Sequence, residues 1–233
     1  MNLDPSLVTL GLTWMVVFLF STTCHEAAHA WAALRLGDPT AYHGGQVTLD
    51  PLPHIKRSPF GMILMPILSF ALMGWMIGWA SAPYDPRWSL RYPKRAALMA
   101  LAGPVSNLIL LVLALIGLKV GLASGSFVFP DELGFDRLVM PAEADPTTEA
   151  FGTFLSVAAS LNLLLFIFNL IPVPPLDGSA VVQLAMPDDL ARRYQEFLWQ
   201  PMISLLGILI AWRLLEFFFF PAFLGLVRLL HPI

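Results

Sequence analysis

Two histidines four residues apart with a glutamate after the first, His25-Glu26-Ala27-Ala28-His29, make the pattern H-E-x-x-H. On a helix, residues four apart lie on one face about one turn apart, so both imidazoles can reach one Zn²⁺. Glu26 then sits beside them, where it can take a proton from water on the metal. The pattern falls in the second half of an apolar stretch, 6–35. Ionisable side chains are costly in hydrocarbon and mark a functional or cavity-facing position. The competing reading is a polar patch packed against other helices, with Glu26 paired to an arginine.

Two imidazoles leave zinc undercoordinated, because a catalytic site takes three protein ligands and keeps one position for water. Within the apolar segments the remaining carboxylates are Asp177 and Glu216. Asp177 ends the run Asn169-Leu-Ile-Pro172-Val-Pro174-Pro175-Leu176-Asp177-Gly178, whose three prolines free backbone groups. At membrane depth these are tolerable only beside a cavity or inside protein. A carboxylate delivered from such a break can turn toward a metal; a helix end with an Asp-Gly turn at the interface explains the same residues. Glu216 is accounted for by Arg213, three residues earlier on the same face. Cys24 adjoins His25 but points about 100° away around the helix, as a small packing residue does.

The elements that must position these groups are membrane helices. Of 233 residues 57% are hydrophobic and 12% charged, with a mean hydropathy of +0.72, against roughly 25% charged in soluble domains. A soluble domain is excluded, and a net charge of −3 with no basic run excludes a nucleic-acid partner. The lone cysteine excludes a disulfide scaffold. Apolar runs near the ~20 residues that cross a bilayer recur at 6–34, 96–122, 151–176 and 202–220. The first reads as a retained helix, not a cleaved signal. Residues 60–83 are long enough to cross but are broken by Pro66, Gly74 and Gly78. The segment 84–95 holds Arg87, Arg91, Lys94 and Arg95 against Asp85, whereas 123–150 holds six acids against Arg137. By the positive-inside rule the first is cytoplasmic and the second outside; Arg35, Lys56 and Arg57 also vote for inside. Two flanks on one side mean that 60–83 enters and returns.

The expected fold is an all-α polytopic membrane protein. It has about four transmembrane helices, a re-entrant region and a short β-hairpin or edge strand at Gly44–Leu49, where Asp50-Pro51 and Pro53 read as turns. The whole chain, 1–233, forms one membrane-embedded domain, with a core at 6–180 and a C-terminal helix at 201–233. The N-terminus lies outside, in what we expect to be a bacterial plasma (inner) membrane.

His25-Glu26-Ala-Ala-His29, Gly103-Pro104-Val-Ser-Asn107 and the run Asn169 to Gly178 together resemble the site-2 protease family of intramembrane zinc metalloproteases. The resemblance covers about residues 15–180. It implies His25, His29 and Asp177 as ligands of one Zn²⁺ per chain, Glu26 as the catalytic glutamate and Asn169 as a group near the scissile carbonyl. The stretch from Gly44 to Ile55 looks like the compact branch that lacks PDZ and CBS domains, with Gln46 and Asp50 where that branch usually has Arg and Asn. Gly45, Gln46, Val47 and Thr48, with His54 and Asn107, are then the candidates for holding substrate.

The activity implied is hydrolysis of a peptide bond within or next to a transmembrane segment of a membrane-protein substrate. Zinc would polarise the carbonyl, Glu26 would move the proton and Asn169 would donate to the developing oxyanion. A strand at 44–49 would hold the unwound substrate extended by main-chain hydrogen bonds. The partners expected are the substrate, the bilayer and a regulatory membrane protein. The rival function is a non-catalytic membrane protein that binds or transports metal. Such a site needs no glutamate at this spacing, and a structural zinc site would be closed by a fourth protein ligand.

Overall fold

The computed structural model describes residues 4–231; positions 1–3 and 232–233, at the expected outer terminus and the end of the C-terminal helix, lie outside the described residues. Among the described residues, four helices are long and apolar enough to cross a membrane: α1 (Pro5–Leu36), α6 (Pro93–Ala123), α7 (Pro146–Leu170) and α10 (Pro201–Leu230). Short helices lie between them: α2 (Thr40–His43), α3 (Pro51–Arg57), α4 (Met65–Met73), α5 (Pro86–Arg91), α8 (Asp177–Val181) and α9 (Asp188–Leu198). A π-helical turn at Phe60–Leu64 leads into α4, and a 3₁₀ turn at Val182–Ala185 follows α8. The chain is thus an integral, all-α polytopic membrane protein.

Four of these helices begin at an Asp-Pro pair. Asp4, Asp50, Asp85 and Asp145 accept hydrogen bonds from Ser6 N, Leu52 N, Arg87 N and Thr148 N, starting α1, α3, α5 and α7. The aspartate satisfies an orphan amide, and proline at the first helical position arrives with φ already set. Asp50-Pro51 therefore opens a helix where the sequence suggested a turn. At the other end of α1, Gly37 takes a left-handed conformation (φ 105°) that closes the helix.

Residues 60–83 fold back on themselves as a hairpin. Arg57 Nε donates to Ser81 O (2.9 Å), Trp79 N to Gly61 O (3.1 Å) and Ile77 N to Ser69 Oγ (2.8 Å), so an inbound helical limb runs beside an outbound extended one. Gly74, at φ 78°, makes the bend. Asp38 ties the two flanks together, accepting from Thr40 N and, at 2.8 Å, from Asp85 N. The hairpin tip reaches toward the loop after α6, where the Trp75 and Phe135 ring centroids are 6.3 Å apart.

The expected strand at Gly44–Leu49 is not formed; the chain there is turn and bend. Gly45 follows α2 at φ 71°, Thr48 Oγ1 accepts from Asp50 N and the His54 ring bonds Thr48 O, whereas the Gln46 amide is left without a partner among the described residues. The small antiparallel sheet instead joins β1 (Phe127–Val128) to β2 (Met140–Pro141) in the loop between α6 and α7.

The helices meet through small side chains, Ala27, Ala30 and Ala33 on α1, Ala96, Ala97, Ala100 and Gly103 on α6, and Ser156, Ala159 and Ser160 on α7. Lipid tails are as apolar as leucine, so membrane helices gain by close packing, which small residues permit. α7 is the most enclosed of the four spans and α10 the least.

Candidate metal centre

The H-E-x-x-H residues lie on α1, and all three ionisable ones are buried. His25 Nε2 is 2.9 Å from His29 Nε2 and 3.1 Å from Asp177 Oδ2, and His29 Nε2 is 3.3 Å from the same oxygen. Asp177 begins α8, delivered by the proline-broken segment after α7. Two glycines let that segment settle: a methyl on Gly178 would overlap the carbonyls ending α7, and one on Gly207 of α10 would overlap Pro174 O. Lys94, in the first turn of α6, holds the far end by donating to Gln183 O, Leu184 O and Met186 O.

The other nitrogen of each imidazole bears on what the triad could hold. His29 Nδ1 lies 2.8 Å from Met99 O, a carbonyl that can only accept, so Nδ1 carries the proton. His25 Nδ1 lies 2.6 Å from Asn107 Oδ1 and carries its proton for the same reason. In the neutral rings both Nε2 atoms would then present lone pairs, and the two atoms converge on a carboxylate oxygen. Three electron-pair donors aimed at one point repel one another unless a cation lies among them. Tetrahedral zinc with ~2.1 Å bonds would set its ligands about 3.4 Å apart, close to the separations here. The residues present fit a zinc ion, and Asp177, partly exposed, leaves a side open. Gly103 passes so near that a methyl group on it would overlap Nε2 of both histidines. Glu26, next on α1, has no ion-pair partner among the described residues, so the arginine pairing considered as the alternative is not formed.

The remaining candidates are placed differently. Asn107 is fully buried behind His25, where it orients the ring; it does not line an open surface. Asn169 donates Nδ2 to Leu165 O of its own helix (3.0 Å). Val47 and Thr48 line a cavity of about 400 Å³ with Cys24, Ala28, Trp31 and Ser106. That cavity opens on the α1 face about 100° round from the histidines, and none of His25, Glu26, His29 and Asp177 lines it. Gln46 is buried with both amide atoms unpartnered, and Gly45 is exposed at its turn. His54 is 1% exposed and serves as a clip on the loop, so it offers no surface to substrate. Glu216 makes no ion pair with Arg213 among the described residues and instead lines an aromatic cavity with Trp14, Trp75 and Trp212.

A family model described as peptidase family M50 matches residues 13–209, most of the chain, including the helix that bears the histidines and the segment that bears Asp177. The chain belongs to peptidase family M50. YwhC of Bacillus subtilis (strain 168) is 36% identical over 178 residues, which are 74% of this chain and 68% of that protein. Rip2 of Mycobacterium tuberculosis (strain ATCC 25618 / H37Rv) is 29% identical over 212 residues, 90% of this chain and 71% of Rip2. Rip2 of Mycolicibacterium smegmatis is 28% identical over 166 residues, 71% of this chain and 54% of that protein. Each of these relatives bears the name of a candidate zinc metalloprotease. No solved structure matches the chain. A metalloprotease of the site-2 protease family, with zinc as its metal, is what the M50 membership and these names support.

Two residues not among the sequence candidates support the elements that carry the triad. Asn162 bonds Asn107 and Ser21 inside the bundle; its signal was an amide at the centre of the apolar span Leu161-Asn162-Leu163. Lys94 counted only as a topogenic charge, although a lysine at the first turn of a helix opposes the helix dipole and so has to be useful elsewhere.

Proposed function

We propose that the chain is an intramembrane zinc metallopeptidase that hydrolyses a peptide bond within or beside a transmembrane segment of another membrane protein. The observation that carries this reading is the convergence of His25 Nε2, His29 Nε2 and Asp177 Oδ2 beside Glu26, which makes no ion pair among the described residues. His25, His29 and Asp177 would hold the metal. Zinc, when bound, supplies Lewis acidity toward a water and a carbonyl oxygen. Glu26 accepts the proton of the attacking water and returns it to the leaving amine, a role worth ~10²–10⁴ in rate. Asn169 serves as oxyanion donor once Nδ2 leaves Leu165 O, a bond within its own helix that costs little to exchange.

A helical peptide bond is shielded by its neighbours and its carbonyl is engaged, so the substrate must be unwound at the point of cleavage. The charges of 84–95 and 123–150 support a topology with the N-terminus of α1 outside and the Lys94 end of α6 inside, and the membrane of this reading is a bacterial plasma membrane. Regulation would come from a membrane partner, or from a different protease that trims the substrate first. The test is co-expression with tagged single-span proteins of the same cell, comparing the native chain with Glu26→Ala. A substrate fragment that forms only with the native chain is expected; fragments formed equally by both would place the chemistry elsewhere.

A further inference from the structure

Both metal-facing imidazoles depend on a hydrogen-bond acceptor at Nδ1, but the two acceptors differ in kind. The Met99 carbonyl on His29 has one polarity and cannot reverse. The Asn107 side chain on His25 is an amide, whose oxygen and NH₂ exchange places on a half-turn. Reversed, Asn107 would press an NH₂ on Nδ1. His25 would then answer by moving its proton to Nε2, aimed at His29 and Asp177, and would cease to be a ligand. Something must hold Asn107 in one orientation.

We propose that Asn162 is this positioning residue: it fixes which end of the Asn107 amide faces His25, and through it which nitrogen His25 offers to the metal. The polarity is set from one end of a chain of contacts. Asn162 Nδ2 lies 2.9 Å from Ala158 O and 2.9 Å from Ser21 Oγ. A backbone carbonyl can only accept, so the NH₂ of Asn162 must face it and Oδ1 must face Asn107. Asn107 Nδ2 donates to that oxygen at 2.9 Å, with Ser21 O at 3.5 Å on the same side. Asn107 Oδ1 is thereby left for His25 Nδ1 at 2.6 Å. Asn162 and Asn107 are 1% and 0% exposed, so no solvent can substitute for either amide. An unmatched amide at this depth costs far more than one in water, which makes the sequence of donors and acceptors stiff. Three spans contribute to it: Ser21 and His25 from α1, Asn107 from α6, Ala158 and Asn162 from α7.

This inference rests on His25 being a metal ligand, and its test separates the two. Zinc affinity of the full chain in detergent is measured by competition with a chromophoric chelator. Partners of ligating histidines are worth about 10–100-fold in metal affinity, and Asn162→Leu is expected to cost this much in the native background. Asn107→Asp presents an oxygen to Nδ1 whichever way it turns, so it needs no orientation from Asn162. In that background Asn162→Leu should change affinity by no more than about twofold, the ordinary error of additivity, or raise it. A role in packing alone predicts equal losses in both backgrounds, and that result overturns the proposal, as does no loss in either. Where Asn162→Leu fails to fold, Asn162→Ser carries the same comparison, its hydroxyl bonding back to Ala158 O and falling short of Asn107. Unchanged affinity in His29→Ala overturns the metal centre and the inference with it. Dependence on His29 with an unmoved Asn162→Leu overturns the inference alone.

Discussion

Gly103→Ala adds one methyl group to a 233-residue chain, and we expect it to abolish the metal centre while leaving the fold standing. The new carbon would fall against Nε2 of both His25 and His29. Non-bonded contacts relax to about 3.5 Å, so the overlap to be relieved is about 1 Å, by parting α6 from α1 or by turning both rings. Turning the rings breaks the bonds from Nδ1 to Asn107 and Met99. Parting the helices carries the ligand set beyond the ~0.2 Å tolerance of a metal site. Overpacking of this kind costs the fold ~1–3 kcal/mol, whereas a ~1 Å misplacement costs the chemistry ~10²-fold. The measurements are zinc per chain by elemental analysis, affinity by chelator competition and cleavage of a co-expressed substrate. Gly225→Ala in α10, where a methyl group meets nothing within 4 Å, is the control and should match the native chain. A Gly103→Ala protein with native zinc affinity would refute the geometry described for the triad.

Purified protein should carry about one zinc, with Asp177→Ala lowering retention and the His25→Ala, His29→Ala double variant abolishing it; full zinc by elemental analysis in the double variant would remove the assignment. Glu26→Gln should keep zinc and fold yet lose cleavage by at least ~10², because a base and not a ligand has been removed; normal turnover would contradict it. Single cysteines at Arg87 and Ser126, both exposed positions, in a Cys24→Ala background should label with an impermeant thiol reagent in intact cells at 126 only. Labelling at 87 would reverse the assigned sidedness.

The spans, the hairpin and the histidine pair were legible because each rests on a local rule: apolar length, charge asymmetry, and a spacing of four on a helix. What was not legible depends on which way a side chain faces within the bundle. Asn107 looked like a substrate contact, since a polar residue in a span promises function, yet the sequence does not say whether it meets a peptide or another side chain. Gly103 stood in a recognisable motif, but its reason, room for two imidazoles, exists only once α6 lies on α1. The strand expected at Gly44–Leu49 gives way to turn because its alternation is short and Thr48 is tied locally to Asp50 N and the His54 ring. Glu216 and Arg213, spaced to pair, do not.

The partners of α1 arrive late in synthesis. His29 waits 70 residues for Met99, His25 waits 82 for Asn107 and 152 for Asp177, and Ser21 waits 141 for Asn162. At roughly 5–20 residues per second, the last of these is made some 8–30 s after the first histidine. Until each partner is made, the imidazole or hydroxyl that awaits it stands unmatched in α1, where a charged group at the bilayer centre would cost ~2.5–3.5 kcal/mol. The growing chain therefore has to keep this helix wetted, or shielded by the insertion machinery, until α7 and the start of α8 have been made, and the three candidate ligands cannot come together before Asp177 is translated.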